Sequence, residues 1–205
     1  MRTLISSILV FLLSLMLGAC SVTSPKIDAY MMEMSGLANN LITIDAALAH
    51  GDWQEAGQDL EQVRVSLLAV ATGFDGLEDE GIDSKQVQKG RAALTYLKKV
   101  SEVSEIMVLW HRKVAEVNPE SLTKNGALDK NVAVGSLNEL ITMTGDARDV
   151  LWDFLEYGQQ YYSSDTDGAR KLKAEITVPR SQLLYARLDE QIVEFEGYLD
   201  ILDKP

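Results

Sequence analysis

The sequence predicts an all-α protein, an antiparallel bundle of about five amphipathic helices behind a cleaved signal peptide. Three observations carry that expectation. Beyond Pro25, apolar residues recur at intervals of three and four in every long segment, the period of a helix with one buried face. No stretch alternates apolar and polar residues as a half-buried strand does. The chain holds only 4 prolines in 205 residues, and the pattern breaks at glycine, proline and Asp/Asn clusters of the kind that end helices. With 46% hydrophobic and 24% charged residues there is enough apolar surface to form a core, in one unit spanning residues 26–205.

Residues 1–19 carry a single charge, Arg2, followed by an apolar stretch from Leu4 to Leu17 broken only by Ser6, Ser7 and Ser14. That is the layout of a signal peptide. The stretch is shorter than the roughly 20 residues a helix needs to cross a hydrocarbon core, so cleavage is expected rather than a permanent span. The junction Leu17-Gly18-Ala19-Cys20 resembles the lipobox of bacterial lipoproteins. The resemblance implies lipidation of the Cys20 thiol, cleavage before it and acylation of the new amino group. Residues 20–25 then form a lipidated N-terminus and a short tether, with a reach of at most roughly 17 Å. Ser21, where some lipoproteins carry Asp, resembles cargo passed on to the outer membrane, and the expected address is its periplasmic face. An ordinary secreted protein with an incidental cysteine is the competing reading.

Cys20 is the only cysteine, which excludes an intrachain disulfide framework and any thiolate-only metal cage. Lys and Arg number 19 against 31 Asp and Glu, a net charge of −12, so a nucleic-acid partner is not expected. Cleavage before Cys20 removes Arg2 alone and leaves −13, so an anionic bilayer repels the domain and membrane contact runs through the lipid.

The first helix shows the stripe Tyr30, Met34, Leu37, Leu41, Ile44 and Leu48. His50-Gly51-Asp52 stops it: Gly51 suits the left-handed residue after a helix, and Asp52 with Glu55 forms a capping box for the next. The second helix carries Trp53, Ala56, Leu60, Val63, Leu67, Val70 and Phe74. The turn Gly51-Asp52-Trp53-Gln54-Glu55-Ala56 resembles a tetratricopeptide-repeat hairpin. It has no second copy near 85–90, about 34 residues on, so the family is not carried over. Residues 75–83 form an acidic loop. Asp83 offers an N-cap with Gln86 at its third position, and the third helix runs through Tyr96, Val100, Val103, Met107, Trp110, Val114 and Val117 to Asn118-Pro119. After a polar segment to about Lys130, the fourth helix shows Leu137, Leu140, Thr144, Ala147, Leu151, Phe154, Gly158 and Tyr161. Its stripe widens through Ile141, Leu155 and Tyr162 on one flank and Met143, Val150 and Tyr157 on the other, which marks it as the central helix. Residues 171–178 are ambiguous. The last helix is expected to begin near Pro179 and to carry Leu184, Leu188, Ile192, Phe195, Leu199 and Leu202.

Catalytic or ligating constellations are sparse. Neither His50 nor His111 has a His, Asp or Glu three or four residues away, the spacing that places two metal ligands on one helical face. Helical bundles can bind haem between a Met and a His on different helices, for which Met31, Met34, Met107 and His111 are available; Met on a core stripe is ordinarily filler. In the acidic turn, Asp165, Asp167 and Gly168 fit positions 3, 5 and 6 of a calcium loop, but Ser163 replaces the first Asp and Ala174 stands where the bidentate Glu belongs. No phosphate loop, nucleophile elbow or metalloprotease pair is present. The expectation is therefore a non-catalytic protein with no cofactor.

One residue breaks the pattern. Opposite the broad apolar face of the fourth helix lie Asp146, Asp149, Asp153 and Glu156, and beside them Trp152 stands where a polar residue is expected. Either residues 171–178 or the projecting end of the third helix covers it, or it anchors a partner protein. The function expected from the sequence is a lipid-anchored envelope protein acting as an interaction or scaffold module in the periplasm. The alternative is a periplasmic bundle that binds a small ligand, metal or haem.

Overall fold

The computed structural model describes residues 24–77, 79–118, 120–125, 127–163 and 168–203, with the side chains of these other than 159–181 and 203. Five helices account for nearly all of them: α1 (Pro25–His50), α2 (Trp53–Asp75), α3 (Ser84–Glu116), α4 (Lys130–Ser163) and α5 (Gly168–Asp203). They form the expected all-α bundle.

α1 opens on Pro25, whose missing N–H costs nothing in the first turn, and buries Ile27, Met34, Leu37, Ala38, Leu41, Ile44 and Leu48. Gly51 closes it at φ 88°, with the N–H groups of Gly51 and Asp52 donating to the Leu48 and Ala47 carbonyls at 3.1 and 3.0 Å. This is a Schellman stop, with the left-handed conformation glycine adopts most readily. The expected Asp52 capping box does not form. The backbone of Asp52 is committed to closing α1, and at φ −85° and ψ 56° its side chain makes no capping bond.

α2 buries Ala56, Leu60, Val63, Leu67, Val70 and Phe74. In the acidic loop that follows, Leu77 turns inward and is 2% exposed, while Glu80 pairs with Lys26 at the start of α1. Asp83 caps α3 by accepting from the Lys85 N–H. Gln86 serves a different end, accepting the backbone N–H of Ser24 at 3.4 Å and so tying the starts of α1 and α3 together. At the other end Val108 of α3 lies 3.4 Å from where a Cβ on Gly57 of α2 would stand. α1 and α3 therefore run parallel and in contact, with α2 antiparallel to both.

The central helix is α3, not α4 as its width suggested. α3 packs against α1, α2 and α4, whereas α4 packs chiefly between α3 and α5. Small residues explain this: Gly90, Ala93, Ser101 and Ser104 are buried on α3 and let neighbours close on more than one of its sides. A Cβ on Gly90 would stand 2.4 Å from the ring of Phe74, itself fully buried.

Between α3 and α4 the chain forms a two-residue-stranded hairpin, Thr123–Lys124 against Ala127–Leu128, with Asn125 at φ 55° in its turn. Such short strands leave no period to find. Asp129 then accepts from the N–H groups of Asn131 and Val132 at 3.1 and 3.3 Å, capping α4. The last helix begins at Gly168 rather than near Pro179, so the ambiguous residues 171–178 are helical and Pro179 sits in a helix interior. Proline's local penalty there is about 3 kcal/mol. Against it stands the packing of α5 along α4, the most extensive helix pairing among the described residues.

Candidate functional site

The hairpin of α4 and α5 carries the features that chain packing does not consume. Its two helices are antiparallel, and their outer edges meet through two rungs. Arg148 donates to the Asp189 carboxylate at 2.8 Å, and one turn further along α4 the rings of Trp152 and Tyr185 lie 5.4 Å apart at 53°. The hydrogen bond to Asp189 raises the Arg148 guanidinium above its ordinary pKa, and the carboxylate of Asp149 lies 3.5 Å away on the same side.

Trp152 is thus neither buried nor isolated. Its partner is Tyr185, and it stays 49% exposed. The projecting end of α3 does not reach it: that last turn pairs Lys113 with Glu139, more than three turns nearer the start of α4. The side chains of residues 171–178 lie outside the described residues. Asp146, Asp149, Asp153 and Glu156 are all exposed on α4.

On another side of α5, toward α3, an open groove of about 340 Å³ has an apolar floor of Met107, Trp110, Leu184 and Leu188 and a polar rim of both signs, Arg187, Glu190, Gln191 and Glu194. Beyond it the expected core stripe of α5 is only half covered. Leu184 and Leu188 are buried, but Ile192, Phe195, Leu199 and Leu202 are intermediate. α5 makes no extensive packing with α3, so this face lacks the second neighbour that its apolar residues call for. Tyr198 donates to Glu194 at 2.7 Å, and this bond, with the negative charge of the carboxylate, pushes the phenol above its ordinary pKa. A second groove, of about 410 Å³ between α2 and α3, is bridged by Arg64 and Glu105 and lined by charges of both signs, among them Lys98 and Glu102.

The Met and His candidates are not gathered. Along the parallel helices α1 and α3, Met34 and Met107 are offset by some eleven residues, about 16 Å at 1.5 Å per residue. His111 donates its Nδ1–H to the Met107 carbonyl at 2.8 Å and sets its ring edge-on to Trp110, while His50 does the same to Ala46 at 2.7 Å. Met31 packs against the core. Among the described residues no group of three or more His, Cys, Asp or Glu could hold a metal ion, and no helix is long and apolar enough to cross a membrane. Cys20, Asp165 and Asp167 lie outside the described residues.

Comparison with known protein families, curated proteins and solved structures finds no match. The site must be read from its own chemistry. The groove and the half-covered stripe of α5 are the features the sequence missed, because a 3,4 period reports an apolar face whether or not anything covers it.

Proposed function

We propose that this chain is a lipid-anchored, non-catalytic envelope protein that holds or recruits another protein at the periplasmic face of the outer membrane. The Leu17–Cys20 junction supports the anchor, through acyl chains on the only cysteine. The partner surface rests on one observation: Trp152, half-exposed and braced by Tyr185, stands among Asp149, Asp153 and Glu156 on the outer face of the last hairpin. A rigid aromatic at a polar rim supplies contact area with little conformational entropy to lose, which is why Trp so often anchors interfaces. The absence of a catalytic motif in the sequence makes interaction, rather than turnover, the economical use of such a surface.

The test is a photo-crosslinking amino acid placed at position 152 in intact envelopes of a bacterium producing the chain. A discrete adduct that recurs at position 153 and is missing at exposed position 32, on α1, supports the reading. Adducts of the same pattern at all three positions, or none, overturn it.

A further inference from the structure

The outer rim of the α3–α5 groove carries charges of both signs in a definite order. Leu183, Arg187, Glu190, Glu194 and Tyr198 recur at intervals of three and four along α5, so they share one helical face. All five are exposed, and the three charged ones edge the groove. Tyr185 and Asp189, which hold α5 to α4, lie roughly on the opposite side of the helix, so this face is turned away from Trp152. Arg187 makes no ion pair among the described residues, whereas Arg148 is bonded to Asp189 and, in the α2–α3 groove, Arg64 is bonded to Glu105.

A partner segment of one charge sign satisfies either Arg187 or the glutamates and is repelled by the other. A second copy of the chain meets both. Arg187 and Glu194 stand two turns apart, with Leu183 one turn outside the first and Tyr198 one turn outside the second. When two such helices run antiparallel about a two-fold axis near residues 190 and 191, Arg187 of each faces Glu194 of the other, and Leu183 of each faces Tyr198 of the other. A parallel pair sets Arg187 against Arg187 and Glu194 against Glu194, which like-charge repulsion disfavours. Tyr198 donates to Glu194 at 2.7 Å and so holds that carboxylate on the shared face.

We infer that α5 pairs antiparallel with α5 of a second copy through this face, in a two-fold dimer joined by reciprocal Arg187–Glu194 ion pairs and Leu183–Tyr198 contacts. The contact is one helix wide, which places it among weak, transient interfaces rather than permanent ones. One group is ill matched: Glu190 lies beside the axis, where the two copies bring their carboxylates together. A two-fold axis sets both Ser24 residues at the same height along it, so the pairing is compatible with two chains tethered to one bilayer. The inference goes beyond the proposed function, does not need the lipid anchor, and leaves Trp152 free for another protein.

The test uses the full chain produced in bacterial envelopes, with cysteines introduced on α5 and mild oxidation; the unaltered chain, with Cys20 alone, gives the background. Glu190→Cys, exposed and beside the axis, is expected to form a disulfide-linked dimer with itself. Leu183→Cys is expected to link to co-produced Tyr198→Cys and not to itself, because a disulfide needs Cα atoms within about 7 Å. With Glu190→Cys present, Arg187→Glu or Glu194→Arg is expected to lower the dimer yield roughly tenfold, since the dimer holds two such pairs. The two reversals together are expected to restore it to within about threefold of the starting yield. Thermal melts are expected to stay unchanged in the reversals, whose positions are exposed. Glu190→Gln is expected to raise the Leu183→Cys to Tyr198→Cys yield by removing the like charges at the axis. No dimer from Glu190→Cys, self-linking of Leu183→Cys as strong as its link to Tyr198→Cys, or a double reversal as poor as the single ones overturns the inference. These crosslinks with no adduct at position 152 uphold the dimer and overturn the proposed partner surface; an adduct at 152 without them does the reverse.

Discussion

The indole Nε1 of Trp110 donates to the hydroxyl of Thr144 at 3.0 Å, and that hydroxyl donates in turn to the Leu140 carbonyl at 2.7 Å. Trp110 is 3% and Thr144 0% exposed, so the bond links α3 to α4 away from water. It also holds Trp110 where its ring forms part of the floor of the α3–α5 groove. One buried polar contact thus sets both the docking of the last hairpin and the shape of the candidate site.

Thr144→Val keeps the side-chain volume but leaves the indole N–H without its acceptor. A buried donor stranded in this way costs about 1–3 kcal/mol. Urea unfolding is expected to show a lowered midpoint for Thr144→Val and little change for Thr144→Ser, which retains the hydroxyl. Equal losses in both variants would mean that the threonine methyl, not the hydrogen bond, matters.

Two glycines look alike in the sequence and differ in the structure. A Cβ at Gly90 meets the ring of Phe74, which is 0% exposed and has no room to retreat, whereas a Cβ at Gly73 meets the hydroxyl and the adjoining ring edge of Tyr30, which is only partly buried and can tilt toward solvent. Gly90→Ala is expected to destabilise by about 1–3 kcal/mol, as overpacking does. At Gly73 the gain of up to about 1 kcal/mol from replacing a helical glycine offsets a small ring movement, leaving stability close to unchanged. Paired thermal melts of the two variants check this.

Trp152→Ala removes a stack that is half in water. Its expected cost is about 1 kcal/mol, the scale of an exposed aromatic pair, and the melting temperature should fall by only a few degrees. Recovery of a partner from gently solubilised envelopes should fall far more. A large loss of melting temperature with the partner retained would assign Trp152 to holding α4 against α5.

Cys20→Ala deletes the only thiol. Mass spectrometry of the envelope form is expected to show loss of the acyl mass and retention of residues 1–19, because cleavage at a lipobox follows lipidation. An unchanged mature mass would point instead to an ordinary secreted protein.

Native mass spectrometry of the gently purified protein decides between the scaffold and the ligand-binding alternative. A bare polypeptide mass is the expected result. A stoichiometric addition matching haem, a metal or a small molecule would require a site that the wide offset between Met34 and Met107 does not provide.

Most helices could be read directly from the chain. Leu41, Val63 and Val100 fall on regular 3,4 stripes and are buried, and Gly51 closes α1 in the left-handed conformation expected of it. Local rules failed where two roles competed for one residue. Asp52 has the composition of an N-cap, yet its backbone is engaged in the preceding helix, and Gln86 accepts from the backbone N–H of Ser24, 62 residues away. Pro179 reads as a start because proline favours first turns, but packing of α5 along α4 carries the helix through it. At Trp152 the sequence announced an anomaly without naming Tyr185 as its neighbour.

By itself the sequence determined that the chain is helical, where four of its five helices begin, which face of each is apolar, and that the whole is acidic. These follow from periodicity, capping residues and formal charge, all of which are local. Only the tertiary structure decided that α3 is central, that Trp152 leans on Tyr185, and that the end of α5 has one neighbour where its apolar stripe asks for two. A hydrophobic period shows that a face avoids water, whereas the element that covers it is chosen by the packing of the whole chain.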